Sequence, residues 1–422
     1  MPTVREPTHP WNEQRISETR SVGLLPDPEP RQREYTIISV DDHVIEPRHL
    51  FEGRMPADLI AAAPRVVEND QGQEMWLYEE VLYPQIGLNA VAGRPKDQWN
   101  TEPSRFDEMR TGCWDSDARV ADMDLDGVYA SLCFPSLLAG FAGVVFSQSK
   151  DQELGLACSR AWNDWHLDEW AGKNPDRIIP LQIPWLSDPD IAADEIRRNA
   201  ERGFKAVSCL ENPIDLGLPS MHTDHWDPLL RACEETNTVV CLHCGSSRWS
   251  AARSPRAPLE LYSTLFTANP LATAADWLWA QIPLRFPQLD IAFSEGGLGW
   301  ATMLMDRLEW VMTHSASGYS AWRDPNLTPI DAMRRNFWFC TIDLPPTFAM
   351  RDRLGSDHIM LESDYPHADS TWPDTQDNAR RGLSGLNDDE VRKVTWENAS
   401  NLFRHPVPVE LQLPRTAVPA TV

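Results

Sequence analysis

A chain of 422 residues, 42% of them hydrophobic and 18 of them tryptophan, can bury a large core in one big domain or two ordinary ones. Its net charge of -25, from 38 Lys and Arg against 63 Asp and Glu, disfavours a phosphate backbone or an anionic lipid as partner. The first twenty residues lack the apolar core of a secretory signal and no apolar run reaches eighteen, so a cytoplasmic protein that neither enters membranes nor binds nucleic acid is expected.

Residues 1–34, rich in Pro, Arg and Glu, read as an arm lying on a surface or on a partner. From Tyr35 onward, short apolar runs that fit strands alternate with longer segments that fit helices, the pattern of a parallel β/α architecture. The predicted strands are 36–43, 127–134, 178–184, 205–210, 238–243, 289–295, 337–343 and 359–364. Eight such strands close a barrel. Between the first two, residues of about 50–120 carry several Pro and Gly and read as a lid over the strand ends.

After the second strand, a predicted helix over 152–171 places Leu154, Cys158, Ala161 and Trp165 on one face. Asp188-Pro189 gives a helix cap with proline at the first helical position, and Gly203 is placed to end that helix. A last helix is expected over 388–403, so the barrel domain spans 35–404 and a Pro-rich tail covers 405–422. The eight cysteines sit mostly in apolar segments and are expected as buried thiols. Cys241 and Cys244 have C-x-x-C spacing, but a structural zinc ribbon needs a second such pair.

In a closed β/α barrel the carboxyl ends of the strands converge on one mouth. Strand one ends in Asp41-Asp42-His43, and the period of two puts Asp41 and His43 on one side with Asp42 pointing away. Strand five ends in His243, strand six in Glu295 and strand eight in Asp364. Each alone is explained by helix capping or a local hydrogen bond, but independent capping does not predict the set. Two imidazoles and two carboxylates suit one divalent transition metal, Zn, Mn or Fe, rather than calcium.

The segments Ser39-Val40-Asp41-Asp42-His43, Ala121 to Val128, His225-Trp226-Asp227-Pro228, His243-Cys244-Gly245-Ser246-Ser247, Ser294-Glu295-Gly296-Gly297 and Ser363-Asp364-Tyr365-Pro366-His367 resemble the amidohydrolase superfamily. The resemblance runs from Tyr35 to about Arg404 and is nearest to the branch of the aminocarboxymuconate-semialdehyde and resorcylate decarboxylases. It implies a (β/α)8 TIM barrel with metal ligands at Asp41, His43, His243 and Asp364. Asp41 replaces the first His of a common His-x-His pair, which favours a harder cation. Glu295 stands where many members carry His, and no lysine ends strand four, where Glu211 lies just past the end. A mononuclear site is the simpler expectation.

The expected activity is that of a metal-dependent hydrolase or non-oxidative decarboxylase acting on a small carboxylate-bearing substrate. Asp364 would serve as ligand and proton acceptor, Glu295 as a second acid or base, and His367 as a proton carrier or substrate contact at the rim. Arg94, Arg105 and Arg110 in the lid are candidate clamps for a substrate carboxylate. The alternatives are a non-haem iron oxygenase on the same fold and a metal-stabilised subunit of a hetero-oligomeric enzyme. The arm, the tail and the many tryptophans point to a homo- or hetero-oligomer.

Overall fold

The computed structural model describes residues 3–4, 23–99, 103–247, 249–252, 254, 256–315, 321–342 and 349–414. Each predicted apolar run contains a strand: β1 Ile38–His43, β2 Ala130–Phe134, β3 over 178–182, β4 Ala206–Cys209, β5 Val239–His243, β6 Ile291–Ser294, β7 Phe337–Thr341 and β8 Ile359–Leu361. All neighbours pair in parallel. Pro180, with no N–H to give, splits β3 into Ile178–Ile179 and Leu181–Gln182. The first half pairs with β2 and the second with β4, so the nine strand segments are one closed eight-stranded barrel.

Side-chain alternation divides the core. Ile38, Val40, Leu132, Leu181, Ala206, Val239, Cys241, Ala292, Cys340 and Met360 form one cluster inside the barrel. Their neighbours Cys133, Val207, Val240, Leu242, Phe293 and Phe339 point outward into the larger cluster shared with the helices. A barrel buried on both faces explains why these strands read as continuous apolar runs.

Helix α1 spans Ser116–Asp126, α2 Gln152–Trp165 and α3 Pro189–Arg202. The second predicted strand begins three residues early, because Gly127 (φ 79°) is the left-handed cap that ends α1. Leu154, Cys158, Ala161 and Trp165 are all buried on α2, which runs on as a π-helical turn, His166–Ala171. Around α3 the Asp188 side chain accepts from the Asp190 and Ile191 amides, and Gly203 (φ 117°) closes the other end. The expected last helix is present over 388–402, with a π-helical turn at Lys393–Glu397.

The segment between β1 and β2 carries an antiparallel sheet of Arg65–Glu68, Glu74–Tyr78 and Val81–Tyr83, edged by Thr3–Val4. It docks on the β8 end of the mouth, where the Val91 and Ala92 amides both donate to the Pro366 carbonyl at 3.0 Å. The described part of the arm lies on this chain itself: the Leu25 amide donates to Gly93 O and the Arg31 amide to Leu125 O, both at 2.8 Å. At the other terminus the Thr36 amide donates to Leu413 O at 3.2 Å. Most of residues 1–22, Asp343 of the predicted seventh strand and residues 415–422 lie outside the described residues. All eight cysteines are buried free thiols. No helix among the described residues is long and apolar enough to cross a membrane.

Candidate metal centre

The strand ends bring Asp41, His43, His243, Glu295, Asp364 and His367 into one nest. His243 Nδ1 lies 2.8 Å from the Cys244 carbonyl, which can only accept, so Nδ1 carries the proton and Nε2 turns its lone pair inward. That Nε2 is 3.1 Å from His43 Nε2, 3.4 Å from Asp41 Oδ1 and 3.4 Å from Glu295 Oε2. His43 Nε2 is 3.4 Å from Asp364 Oδ1 and 3.8 Å from Asp41 Oδ1. Asp364 Oδ1 is in turn 3.0 Å from His367 Nδ1.

Asp41 is 0% exposed, yet neither of its carboxylate oxygens has a hydrogen-bond partner among the described residues. Asp364 Oδ1, at a residue 3% exposed, has no aligned hydrogen-bond donor among the described residues and lies 3.0 Å from His367 Nδ1. Buried oxygens left this way cost free energy that an ion would recover. Two imidazole nitrogens 3.1 Å apart, with Asp41 Oδ1, Asp364 Oδ1 and Glu295 Oε2 next to them, fit a divalent cation of intermediate hardness.

The neutral state of the two imidazoles agrees with ligation. Burial, then the neighbouring His367 and His243, holds His43 well below the usual histidine range, and burial lowers His243 to about 4, so both rings are neutral. Burial holds Asp41 and Asp364 well above the usual carboxylate range, with Asp42 adding to the effect on Asp41. Glu295 is raised by burial and then by Asp364, Asp369, Asp41 and Glu362. For His367 burial opposes protonation, but the charge of Asp364 outweighs it and lifts the imidazole to about 9.

Asp42 points away from the nest, as strand periodicity requires. It accepts from Ser39 Oγ at 2.9 Å, Ser363 Oγ at 2.6 Å, the Tyr365 amide at 3.0 Å and also Ser131 Oγ, and so joins β1, β2 and the segment after β8. Beside it the fully buried Arg119 of α1 donates to the carbonyls of Gly112 and His43. Phe134 and Phe141 flank His243, each with its ring centroid 4.8 Å away. Phe141 adopts φ 58°, a left-handed conformation that is strained for an aromatic residue.

Two expectations change. His367 is not at a solvated rim but 7% exposed, stacked on His43 at 3.9 Å between centroids. The candidate arginines of the insertion are engaged elsewhere: Arg94 with the Glu108 carbonyl, Arg105 with Asp107 and Arg110 with Asp122 and Asp27. Glu211 turns to the loop after β5, where it accepts from the Gly245 amide at 2.8 Å. Sequence reading passed over Asp369 and Glu362, whose carboxylates approach the nest. The Glu362-x-Asp364 repeat was the available signal for the second; Asp369, on an irregular loop, offered none.

A family model described as amidohydrolase matches residues 9–405. The chain belongs to the amidohydrolase family. This amidohydrolase is 27% identical over 290 residues to the gamma-resorcylate decarboxylase of Rhodococcus jostii, covering 60% of this chain and 78% of that one. Among solved structures it is similar to the amidohydrolase map2389c of Mycobacterium avium subsp. paratuberculosis, with a TM-score of 0.69 and 20% identity over 88% of this chain and all of the other. It also resembles the 5-carboxyvanillate decarboxylase of Novosphingobium aromaticivorans, complexed with manganese and 4-hydroxy-3-methoxy-5-nitrobenzoic acid. There the TM-score is 0.58 and the identity 16%, covering 90% and 99% of the two chains. The relatives named by their activity are decarboxylases, so the oxygenase and structural-subunit alternatives find no support.

Proposed function

We propose that this amidohydrolase-family enzyme is a non-oxidative decarboxylase of a small hydroxylated aromatic carboxylate, dependent on a divalent transition metal held by Asp41, His43, His243 and Asp364. The observation that carries the reading is the convergence of these four side chains, from three strand ends, on a buried point where carboxylate oxygens lack donors. The decarboxylase relatives support the reaction class, and manganese in a similar structure supports the metal class. When bound, the cation would supply Lewis-acid polarisation of a substrate oxygen.

The remaining work falls to this chain's own groups. Loss of CO2 leaves a ring carbon that needs one proton. His367 is suited to provide it: its Nδ1 faces Asp364, and its buried Nε2 has no partner among the described residues. Asp364 holds the imidazolium in place through the ion pair at 3.0 Å. Phe141, half-buried over the two histidines, offers an aromatic ring an apolar wall. The insertion between β1 and β2, anchored on Pro366 beside the nest, is placed to serve as a lid.

Enzyme loaded with Mn2+ and mixed anaerobically with a panel of hydroxybenzoates should release CO2 from at least one. Solvent deuterium should appear at the vacated ring carbon. In His243→Ala the rate should fall by at least about a hundredfold. Turnover that requires O2, or hydrolysis without CO2, would overturn the reading.

A further inference from the structure

The left-handed backbone of Phe141 is imposed by its surroundings. Leu138, Ala139, Ala142 and Val144 beside it are buried, and Gly140 and Gly143 take φ 66° and φ 75°. A Cβ at Gly143 would stand 2.7 Å from the Pro184 carbonyl oxygen, so that end of the turn needs glycine. The other end hangs on Ser136, whose carbonyl accepts from the Gly140 amide at 3.0 Å and lies 3.5 Å from the Phe141 amide. Between these two anchors the half-buried Phe141 is thrown over both imidazoles of the nest, 4.8 Å from His243 and 5.7 Å from His43 between ring centroids.

Ser136 is itself held by a buried acid that the chemistry proposed above does not use. Glu46, 0% exposed, accepts from the Ser136 amide at 3.1 Å, from Ser136 Oγ and from Trp162 Nε1 of α2 at 3.1 Å. Three neutral donors thus meet its two oxygens and offset the cost of burying them. Its backbone is fixed from the nest side, since the Val44 amide donates to Phe134 O at 2.9 Å and the Ile45 amide to Cys113 O at 2.8 Å. A carboxyl anchored just past His43 therefore reaches, through one serine, the residue strained over His43 and His243.

We propose that Glu46 is a positioning residue: through Ser136 it holds Phe141 in its left-handed turn, and Phe141 so held selects a flat aromatic carboxylate over a puckered or branched one. This selection rests on the function proposed above, whose substrate shape it decides. A planar ring can stack on Phe141 at aromatic contact, whereas the axial hydrogens of a saturated ring hold it off. Freed of Ser136, the Phe141 backbone would relax to negative φ and carry its ring away from the histidines.

Calorimetry on the full chain loaded with Mn2+ compares benzoate with cyclohexanecarboxylate, which match in charge and ring size. The unsubstituted protein should bind benzoate at least about fivefold more tightly. Phe141→Leu and Glu46→Leu should each bring that ratio below about twofold while Mn2+ affinity stays within about twofold, and together they should do no more than either alone. Glu46→Gln should keep the ratio, because its oxygen accepts from the Ser136 amide and Trp162 while its amide donates to Ser136 Oγ. If Glu46→Leu does not fold, Ser136→Ala takes its place and should lower the ratio at least about twofold. A ratio unchanged in Phe141→Leu or in the Glu46 or Ser136 variant overturns the inference, as do fully additive losses. So does a Glu46→Leu protein that loses Mn2+ and benzoate affinity alike, the result of a purely structural fastening. Unsubstituted protein that binds the two carboxylates equally overturns this inference alone; binding of neither overturns the proposed function with it.

Discussion

Asp41 and Asp42 are adjacent and equally buried, but the strand turns one into the nest and the other into a web of donors. Asp42 is fully satisfied; the Asp41 carboxylate has no hydrogen bond among the described residues. Opposite effects on folding follow. Asp42→Ala strands three hydroxyls and an amide, so metal-free protein should lose about 3 kcal/mol or more. Asp41→Asn removes a group that bears a folding cost, either by desolvating a charge or by binding a proton. Metal-free protein should therefore gain about 1–2 kcal/mol while losing metal affinity. Urea denaturation with chelator present, alongside metal titration, checks both signs; a destabilising Asp41→Asn would mean that the carboxylate is held by protein contacts instead of being kept for a cation.

Among elements, the β4 and β5 ends are coupled by Glu211. Its carboxylate accepts from the Gly245 amide, while its own amide donates to Ser246 Oγ at 3.1 Å, fixing the loop that follows His243. Burial raises Glu211 to about 8. The folded chain keeps this proton where the unfolded chain, with an ordinary glutamate near 4.5, has released it. Its stabilising contribution is whole below about pH 4.5 and declines as pH rises towards 8, by up to about 1.4 kcal/mol per pH unit. Glu211→Gln keeps an acceptor for Gly245 and has no proton to lose. Denaturant midpoints for the two proteins should agree near pH 4.5 and separate by pH 8 in favour of the variant; parallel curves would refute this. The same elements show what a sequence can carry. Continuous apolar runs made all eight strands readable, and Asp188, Pro189 and Gly203 marked both ends of α3, because these signals are local. The gathering of Asp41, His43, His243 and Asp364 was readable once strand ends were taken to converge. The stacking of His367 on His43, the engagement of Arg94 and Arg110, and the approach of Asp369 were not, since each depends on loop paths that no periodicity encodes.

At the scale of the whole molecule, acidic charge and dense packing combine. The insertion is tied to Pro366 and, through Arg110 and Asp122, to α1; the segment before β1 runs along the insertion and α1; and the Leu413 carbonyl accepts from Thr36 beside β1. These attachments leave no part of the described chain an independent route to unfold, so melting should be a single transition. The carboxylates in the mouth, in a chain of net charge -25, are a local source of repulsion that a divalent cation removes on binding the folded form alone. Free cation at a hundred times its dissociation constant should add about 2.7 kcal/mol. In a chain of this length that raises the melting temperature by about 3 °C, without splitting the transition. Scanning calorimetry with chelator and then with Mn2+ measures the shift. An early transition confined to the insertion would show that the lid is a separate unit, and an unchanged melting temperature would show that the nest holds no ion.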